Sequence, residues 1–284
     1  MVASRGVRCA GNFRNAQDVS QELRRLYAVD KLRFMIDIHS HLLPGVDDGS
    51  PSIEVSVPVL ELFGSQGVDV LVLTPHLNAS QAHLAPRARY REMLSELQKA
   101  APVKPALQLG WEIMLDEPGV DLTSLDLTLG NSRALLVEFA RAGVPRQASS
   151  ELRRIARSGR TPILAHPERY FGCTADQVKD WRALGVVIQT DVSVLLGRGV
   201  PAEMARELMA FGLIDILASD NHGDHRTLGA AVDWLQSNGA SQEQIDLLTH
   251  INAEHVLDDE DPIPVPPLKS LHGFTQKFRK LFRS

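Results

Sequence analysis

The chain has 284 residues, 44% hydrophobic and 23% charged, enough for one large domain or two small ones with a sizeable core. Its 5% aromatic content argues against a base-stacking nucleic-acid platform, and its net charge of −5 against a general polyanion binder. The charge is uneven: residues 1–34 carry seven Lys/Arg against three Asp/Glu, residues 268–284 carry five basic residues and no acid, and the block between is net −14, which points to carboxylates used on cations.

In chain order, residues 1–34 hold scattered arginines and one weak helical stretch, Val19–Tyr27, and read as a dispensable extension. From Met35 onward, seven short apolar or β-branched runs alternate with helix-like segments: Met35–Ile38, Val68–Leu73, Ala106–Leu109, Ala134–Val137, Thr161–Ala165, Val186–Gln189 and Ile214–Ala218. Gly67, Gly185 and Gly212 stand where a helix feeds a strand, as C-caps do. Apolar strands alternating with helices predict a parallel sheet covered on both faces.

Each run ends in residues able to bind metal or phosphate. The ends are His39-Ser40-His41, Thr74-Pro75-His76, Trp111-Glu112, Glu138-Phe139, His166-Pro167-Glu168-Arg169, Thr190-Asp191 and Ser219-Asp220-Asn221-His222. A closed βα barrel brings all such ends to one face, whereas an open doubly wound sheet spreads them along an edge. Convergence predicts a barrel of seven βα units. After residue 258 come an acidic cluster and the Pro-rich stretch Asp261–Pro267, read as an extended linker. In the basic tail, Leu271, Phe274, Phe278, Leu281 and Phe282 recur at helical spacing among Lys277, Arg279, Lys280 and Arg283. Such a helix suits an anionic membrane surface, or docks its apolar face on the body.

The chemistry rests on the strand ends. His39-x-His41 places two imidazoles on one side of a strand, because side chains alternate with period two. Glu112 and Glu138 finish apolar strands, where an unpaired carboxylate is costly. Asp47-Asp48-Gly49 alone would be an ordinary turn. Five histidines at strand ends beside several acids make a stronger pattern than any one of them. Oxygen and imidazole ligands without thiolate suit Mn²⁺, Zn²⁺ or Fe²⁺, and nine ligands suit two or three ions with a bridging carboxylate. The two cysteines, Cys9 and Cys173, make no disulfide framework, and neither opens the Cys-x5-Arg loop of a thiol-based phosphatase. No apolar run approaches the ~18 residues of a membrane span, and no secretory core stands at the N-terminus. The expected location is cytoplasmic.

The ordered motifs Met35–His41, Asp47-Asp48-Gly49, Thr74-Pro75-His76, Glu112, Glu138-Phe139, Ala165–Tyr170 and Ala218–His222 resemble the PHP superfamily. Within it they are similar to the manganese-dependent tyrosine-protein phosphatases of bacterial capsule and exopolysaccharide systems. The resemblance implies a distorted seven-stranded (β/α) barrel, TIM-like, over residues 35–258, with residues 259–284 as linker and tail. It implies that His39, His41, Glu112 and Asp220 hold one metal, that Glu112 bridges to a second held with Glu138 and His166, and that Asp48, His76 and His222 hold a third. It places Arg169 on the phosphoryl oxygens and gives catalytic roles to Arg226 and Asp191. The sequence departs from the pattern at Gln189-Thr190-Asp191, where an Asn is expected, and in a shortened loop before Arg226. The implied reaction is hydrolysis of phosphotyrosine by metal-activated hydroxide, on a membrane tyrosine kinase of polysaccharide assembly. A small-molecule phosphatase of the histidinol-phosphate type and a non-catalytic metal-binding regulator are the alternatives. A peripheral contact of residues 268–284 with the inner membrane face completes the expectations.

Overall fold

The structure, a computed structural model, describes residues 34–271. The expected helical stretch at Val19–Tyr27 and the tail beyond Leu271 lie outside the described residues. The strands are β1 (Met35–Asp37), β2 (Val68–Leu73), β3 (His76–Asn78), β4 (Ala106–Leu109), β5 (Glu112–Met114), β6 (Ala134–Glu138), β7 (Thr161–Ala165), β8 (Val187–Asp191) and β9 (Ile216–Ala218). All pair in parallel, in two sheets of order β1-β2-β4 and β3-β5-β6-β7-β8-β9.

The fold is thus α/β with parallel sheets, but with nine described strands in two sheets where seven in one ring were expected. The difference lies at two breaks in the ladders. Two expected strands continue past a break, β2 into β3 across Thr74-Pro75 and β4 into β5 across Gly110-Trp111. Pro75 has no N–H to offer a ladder, and single bonds carry the pairing over the gap: Gly110 N donates to Leu73 O and Glu112 N to Pro75 O. The remaining two sheet ends, β1 and β9, meet beyond their last ladder residues. Asp220 N donates to His39 O, His41 N to Asn221 O, and Ser40 bridges Asn221 in parallel.

The helices are α1 (Ile53–Gln66), α2 (Arg87–Ala100), α3 (Ala148–Arg157), α4 (Ala175–Arg182), α5 (Val192–Leu196), α6 (Val200–Ala210), α7 (Leu228–Ser237), α8 (Gln242–Asp246) and α9 (Asn252–Leu257), with a π-helical stretch, Leu247–Ile251, joining the last two. Their ends follow the sequence. Thr174 with Gln177 and Ser241 with Gln244 form capping boxes that start α4 and α8. Gly67 takes φ 90° and its N–H closes on Gly64 O and Phe63 O, so α1 stops and β2 begins one residue later.

Two apolar cores result. In one, alternate residues of strands from both sheets meet (Ile36, Val72, Leu136, Ile163, Val187, Ile216), with Ala253 and Val256 of α9 against them. The other, larger core lies between strands and helices and includes Phe63, Leu71, Leu135, Leu164 and Trp181. The Pro-rich stretch forms neither helix nor strand and is packed onto the body. Val265, Leu268 and Leu271 are buried in the larger core. Asn252 donates to Ile263 O and accepts from Ile263 N, Gln244 donates to Pro266 O, and Leu268 N donates to Met209 O. The apolar residues between the prolines find a groove over α6 and α8–α9, and that burial straps the segment down. No helix among the described residues is long and apolar enough to cross a membrane.

Candidate metal centre

All nine residues that the resemblance implies as metal ligands come together: on the segments after β1, β7 and β9, at the last residue of β6, at the first residues of β3 and β5, and, for Asp48, on the turn after β1. Glu112, the first residue of β5 and 1% exposed, sits at their centre. Its Oε1 lies 2.8 Å from His166 Nε2 and 3.3 Å from His39 Nε2, and its Oε2 2.9 Å from His76 Nδ1 and 3.3 Å from His41 Nε2. Four imidazole nitrogens therefore face one carboxylate. Asp220 Oδ1 is 3.3 Å from both His39 Nε2 and His41 Nε2, which are themselves 3.2 Å apart. Glu138 Oε2 lies 3.7 Å from His166 Nε2, and its Oε1 3.8 Å from His76 Nδ1. On the outer side, Asp48 Oδ1 is 3.2 Å from His76 Nε2 and 3.6 Å from His222 Nε2. The groups whose donor atoms converge tightly enough for an ion are His39–His41–Glu112, His76–Glu112–Glu138 and His41–Asp48–His76–His222.

The backbone is distorted to reach this arrangement. His166 (φ 37°) and Asp220 (φ 49°) take left-handed conformations that β-carbon-bearing residues rarely adopt, a sign of strain held at a working site. Gly49 passes so close that a Cβ on it would lie 2.1 Å from His41 O, so the turn carrying Asp47 and Asp48 can fold against the His-x-His strand end only with glycine there.

The electrostatics fit cations. Burial alone would lower the His39 imidazole; the Glu112 and Asp220 carboxylates overcome it and push it up to about 9. Burial likewise opposes charge on His41, yet its hydrogen bonds to Asp220, Asp47 and Glu112 raise it well above the usual imidazole range. Burial would raise the Glu112 carboxyl, and the charge of His39 with bonds from His166, His39 and His41 holds it well below the ordinary range. Glu138 is raised, first by burial and then by the Glu112 charge. A cluster that must hold extra protons to balance its carboxylates is one built for positive charge, and imidazole with carboxylate is the donor set of divalent transition metals.

Arg169 lies beside this cluster. Its Nη2 pairs with Asp191 Oδ2 and lies 2.7 Å from Asp220 Oδ2. Arg226 reaches the same Asp220 oxygen at 3.6 Å while held by Asp224 at 2.7 Å. The shortened loop expected to weaken its placement is therefore long enough to bring Arg226 in. Exposure marks the entrance: the His39, His41 and Glu112 side chains are buried, whereas that of Asp48 is 72% exposed.

Residues 35–258 match the family of capsular polysaccharide synthesis, CpsB/CapC. The chain belongs to the CpsB/CapC family. It is 30% identical over 199 residues to tyrosine-protein phosphatase YwqE of Bacillus subtilis, covering 66% of this chain and 77% of that protein. It is 27% identical over 201 residues to tyrosine-protein phosphatase CpsB of Streptococcus agalactiae, covering 66% and 83%. A solved structure described among YwqE from Bacillus subtilis and CpsB from Streptococcus pneumoniae, "unique metal-dependent tyrosine phosphatases", superposes with a TM-score of 0.68 at 26% identity, over 82% of this chain and 98% of that one. An inactive dihydroorotase-like domain from Chaetomium thermophilum shares the fold alone, at 12% identity and a TM-score of 0.53 over 79% of each chain.

The CpsB/CapC site here also uses residues that the motif reading missed. Gln189 Oε1 lies 3.1 Å from His39 Nδ1, and Gln189 Nε2 donates to Asp191 Oδ1. Asp47 Oδ2 lies 2.8 Å from His41 Nδ1, and the Asp220 carbonyl oxygen lies 2.9 Å from His222 Nδ1. Each leaves the other ring nitrogen directed at the cluster, the arrangement that orients metal-binding histidines. Glu168, buried beneath Arg169, accepts from Asp191 N and Thr190 Oγ1. Asp37 accepts from Ser219 N and His39 N, fastening β1 to the strand end after β9. Period-two alternation carried the clue for Gln189, two residues before Asp191 on the same side of β8.

Proposed function

We propose that this chain is a metal-dependent protein-tyrosine phosphatase acting in capsule or exopolysaccharide synthesis, with a membrane tyrosine kinase of polysaccharide assembly as its substrate. The observation that carries this reading is Glu112, one buried carboxylate facing four imidazole nitrogens within 3.3 Å, beside the guanidinium of Arg169. The reaction class is that of the similar proteins, which are named tyrosine-protein phosphatases. His39, His41, Glu112 and Asp220 would hold one cation, Glu112, Glu138 and His166 a second, and Asp48, His76 and His222 a third. We assign Mn²⁺ to them. Bound ions of this kind lower the pKa of coordinated water and neutralise phosphoryl charge.

The chain's own residues do the rest. Arg169 presents a planar fork to two phosphoryl oxygens, and Arg226, which reaches the same Asp220 oxygen, adds a second cation. Asp191 is a positioning group. It is buried, one oxygen accepts from Gln189 and the other holds Arg169, so it aims the guanidinium. Tyrosine leaves as a phenolate of pKa ~10, which needs protonation less than a serine alkoxide does. A site whose carboxylates near Arg169 are all engaged suits that leaving group. Two further features support the proposal: β2–β3 and β4–β5 read as two broken strands, and the Ser40–Asn221 bridge as the seam, of a distorted seven-stranded barrel over residues 35–258.

Hydrolysis of a phosphotyrosyl peptide, a phosphoserine peptide and histidinol phosphate, each with Mn²⁺ and with chelator, tests the reading. We expect phosphotyrosine to be preferred and chelator to abolish turnover. Preference for histidinol phosphate makes the chain a small-molecule phosphatase, and no turnover on any of the three makes it a regulator.

A further inference from the structure

The loop that carries Arg169 goes on to expose an aromatic ring. Phe171 is 82% exposed, although its backbone is held firmly. Tyr170, just before it, is buried, its hydroxyl donating to Ala165 O at 2.6 Å and accepting from Phe139 N at 3.2 Å. Phe171 N itself donates to Arg141 O on the loop after β6, and Cys173 N closes the turn on Tyr170 O. A single exposed apolar side chain is ordinary on a protein surface. This one is fixed two residues from the phosphate-facing Arg169 and tied to a loop that carries Arg141 and Arg146, both exposed. Neither arginine has an ion-pair partner among the described residues. They are exposed cations of an otherwise acidic body, on the loop whose Arg141 O accepts from Phe171 N.

We propose that Phe171, Arg141 and Arg146 form the docking rim for the polypeptide that carries the phosphotyrosine. Phe171 packs on an apolar side chain next to the phosphotyrosine, and the two arginines attract acidic side chains flanking it. The proposal rests on the phosphatase reading above and adds to it a sequence preference: apolar beside the phosphotyrosine, acidic further out. Continuity with Arg169 through a rigid turn favours this occupant, as does the charge complementarity between the two arginines and an acidic phosphopeptide.

The test compares full-length wild type, Phe171→Ala, Phe171→Leu and the double variant Arg141→Glu/Arg146→Glu. The substrates are p-nitrophenyl phosphate and phosphotyrosyl peptides with apolar-acidic, all-alanine or basic flanks. We expect Phe171→Ala to lower kcat/KM on the apolar-acidic peptide about tenfold, through KM, and to leave p-nitrophenyl phosphate unchanged. Phe171→Leu should recover most of the loss. The double variant should reverse the preference for acidic over basic flanks, and added salt should erase the difference. Equal losses on peptide and p-nitrophenyl phosphate, or no loss on either, overturn the rim. Wild type that cleaves histidinol phosphate but no phosphotyrosyl peptide fails the phosphatase reading and the rim together. Wild type active on the peptide with Phe171→Ala indistinguishable from it fails the rim alone.

Discussion

Glu112 shows how one side chain can organise a site. A buried carboxylate is costly in isolation, and here four imidazoles meet it, so removing it leaves several buried histidines facing one another. Glu112→Gln keeps the shape and removes the charge. We expect it to reduce bound metal by at least one ion per chain and kcat by about a hundredfold or more. Unchanged metal content by elemental analysis rejects the bridging role. Arg169 has a different task in the proposed site: its Nη2 meets both Asp191 and Asp220, which holds the guanidinium beside the cluster. A lysine keeps the charge but cannot span two carboxylates and still offer two parallel donors. Arg169→Lys should therefore lower kcat/KM on a phosphotyrosyl peptide about a hundredfold with metal content unchanged. Near-wild-type turnover removes Arg169 from the phosphate site.

Among the elements, the short turn Pro167–Arg169 after β7 links site and scaffold through Glu168. Burial, and then the Asp191 charge, push its carboxyl up to about 7. Between the ordinary carboxylate range and pH 7 the folded state thus holds a proton that the unfolded chain has released, so this group makes stability fall as pH rises through that window. Glu168→Gln should flatten the slope: urea midpoints of wild type and variant, measured at pH 5 and pH 8, should differ less in the variant. Parallel slopes would show that Glu168 is not the titrating group. At the opposite end, α9 secures the proline strap through Asn252, which bonds Asp215 O and both backbone groups of Ile263. Asn252→Ala leaves three backbone polar groups, the buried Asp215 O among them, short of a partner and should cost about 3 kcal/mol by urea unfolding, with metal binding retained. A loss below about 1 kcal/mol would mean that the strap holds by apolar burial alone.

For the molecule as a whole, the strap alters what the basic tail can do. Leu268 and Leu271 are buried in the body, so the amphipathic pattern that begins at Leu271 is tethered at its first residue and has no free linker behind it. A cut at Pro267 would remove Leu268 and Leu271 from the core. Removing residues 272–284 should abolish salt-sensitive adsorption to vesicles containing anionic lipid and leave hydrolysis of p-nitrophenyl phosphate unchanged. Equal adsorption of both proteins rejects a membrane role for the tail.

The βα alternation, the seven apolar runs and the glycine stops were readable from residue order, because they follow from local periodicity; the polar strand ends stood out by the cost of placing polar side chains there, and the nine candidate ligands came only with the family resemblance of the motifs. Two kinds of feature were not readable there. The breaks at Thr74-Pro75 and Gly110-Trp111, and the meeting of β1 with the strand end after β9, depend on pairings between residues far apart in the chain, which no local pattern encodes. Glu168 stood among the strand-end residues and Gln189 in a departure from the family pattern, but their partners show only when the fold sets one against Asp191 and the other against the His39 ring. The Pro-rich stretch read as a spacer because its composition is that of one, and only the groove formed by α6 and α8–α9 turned its spaced apolar residues into an anchor. Donor chemistry is a property of residue type and strand end; orientation, closure and docking are properties of what distant segments place opposite one another.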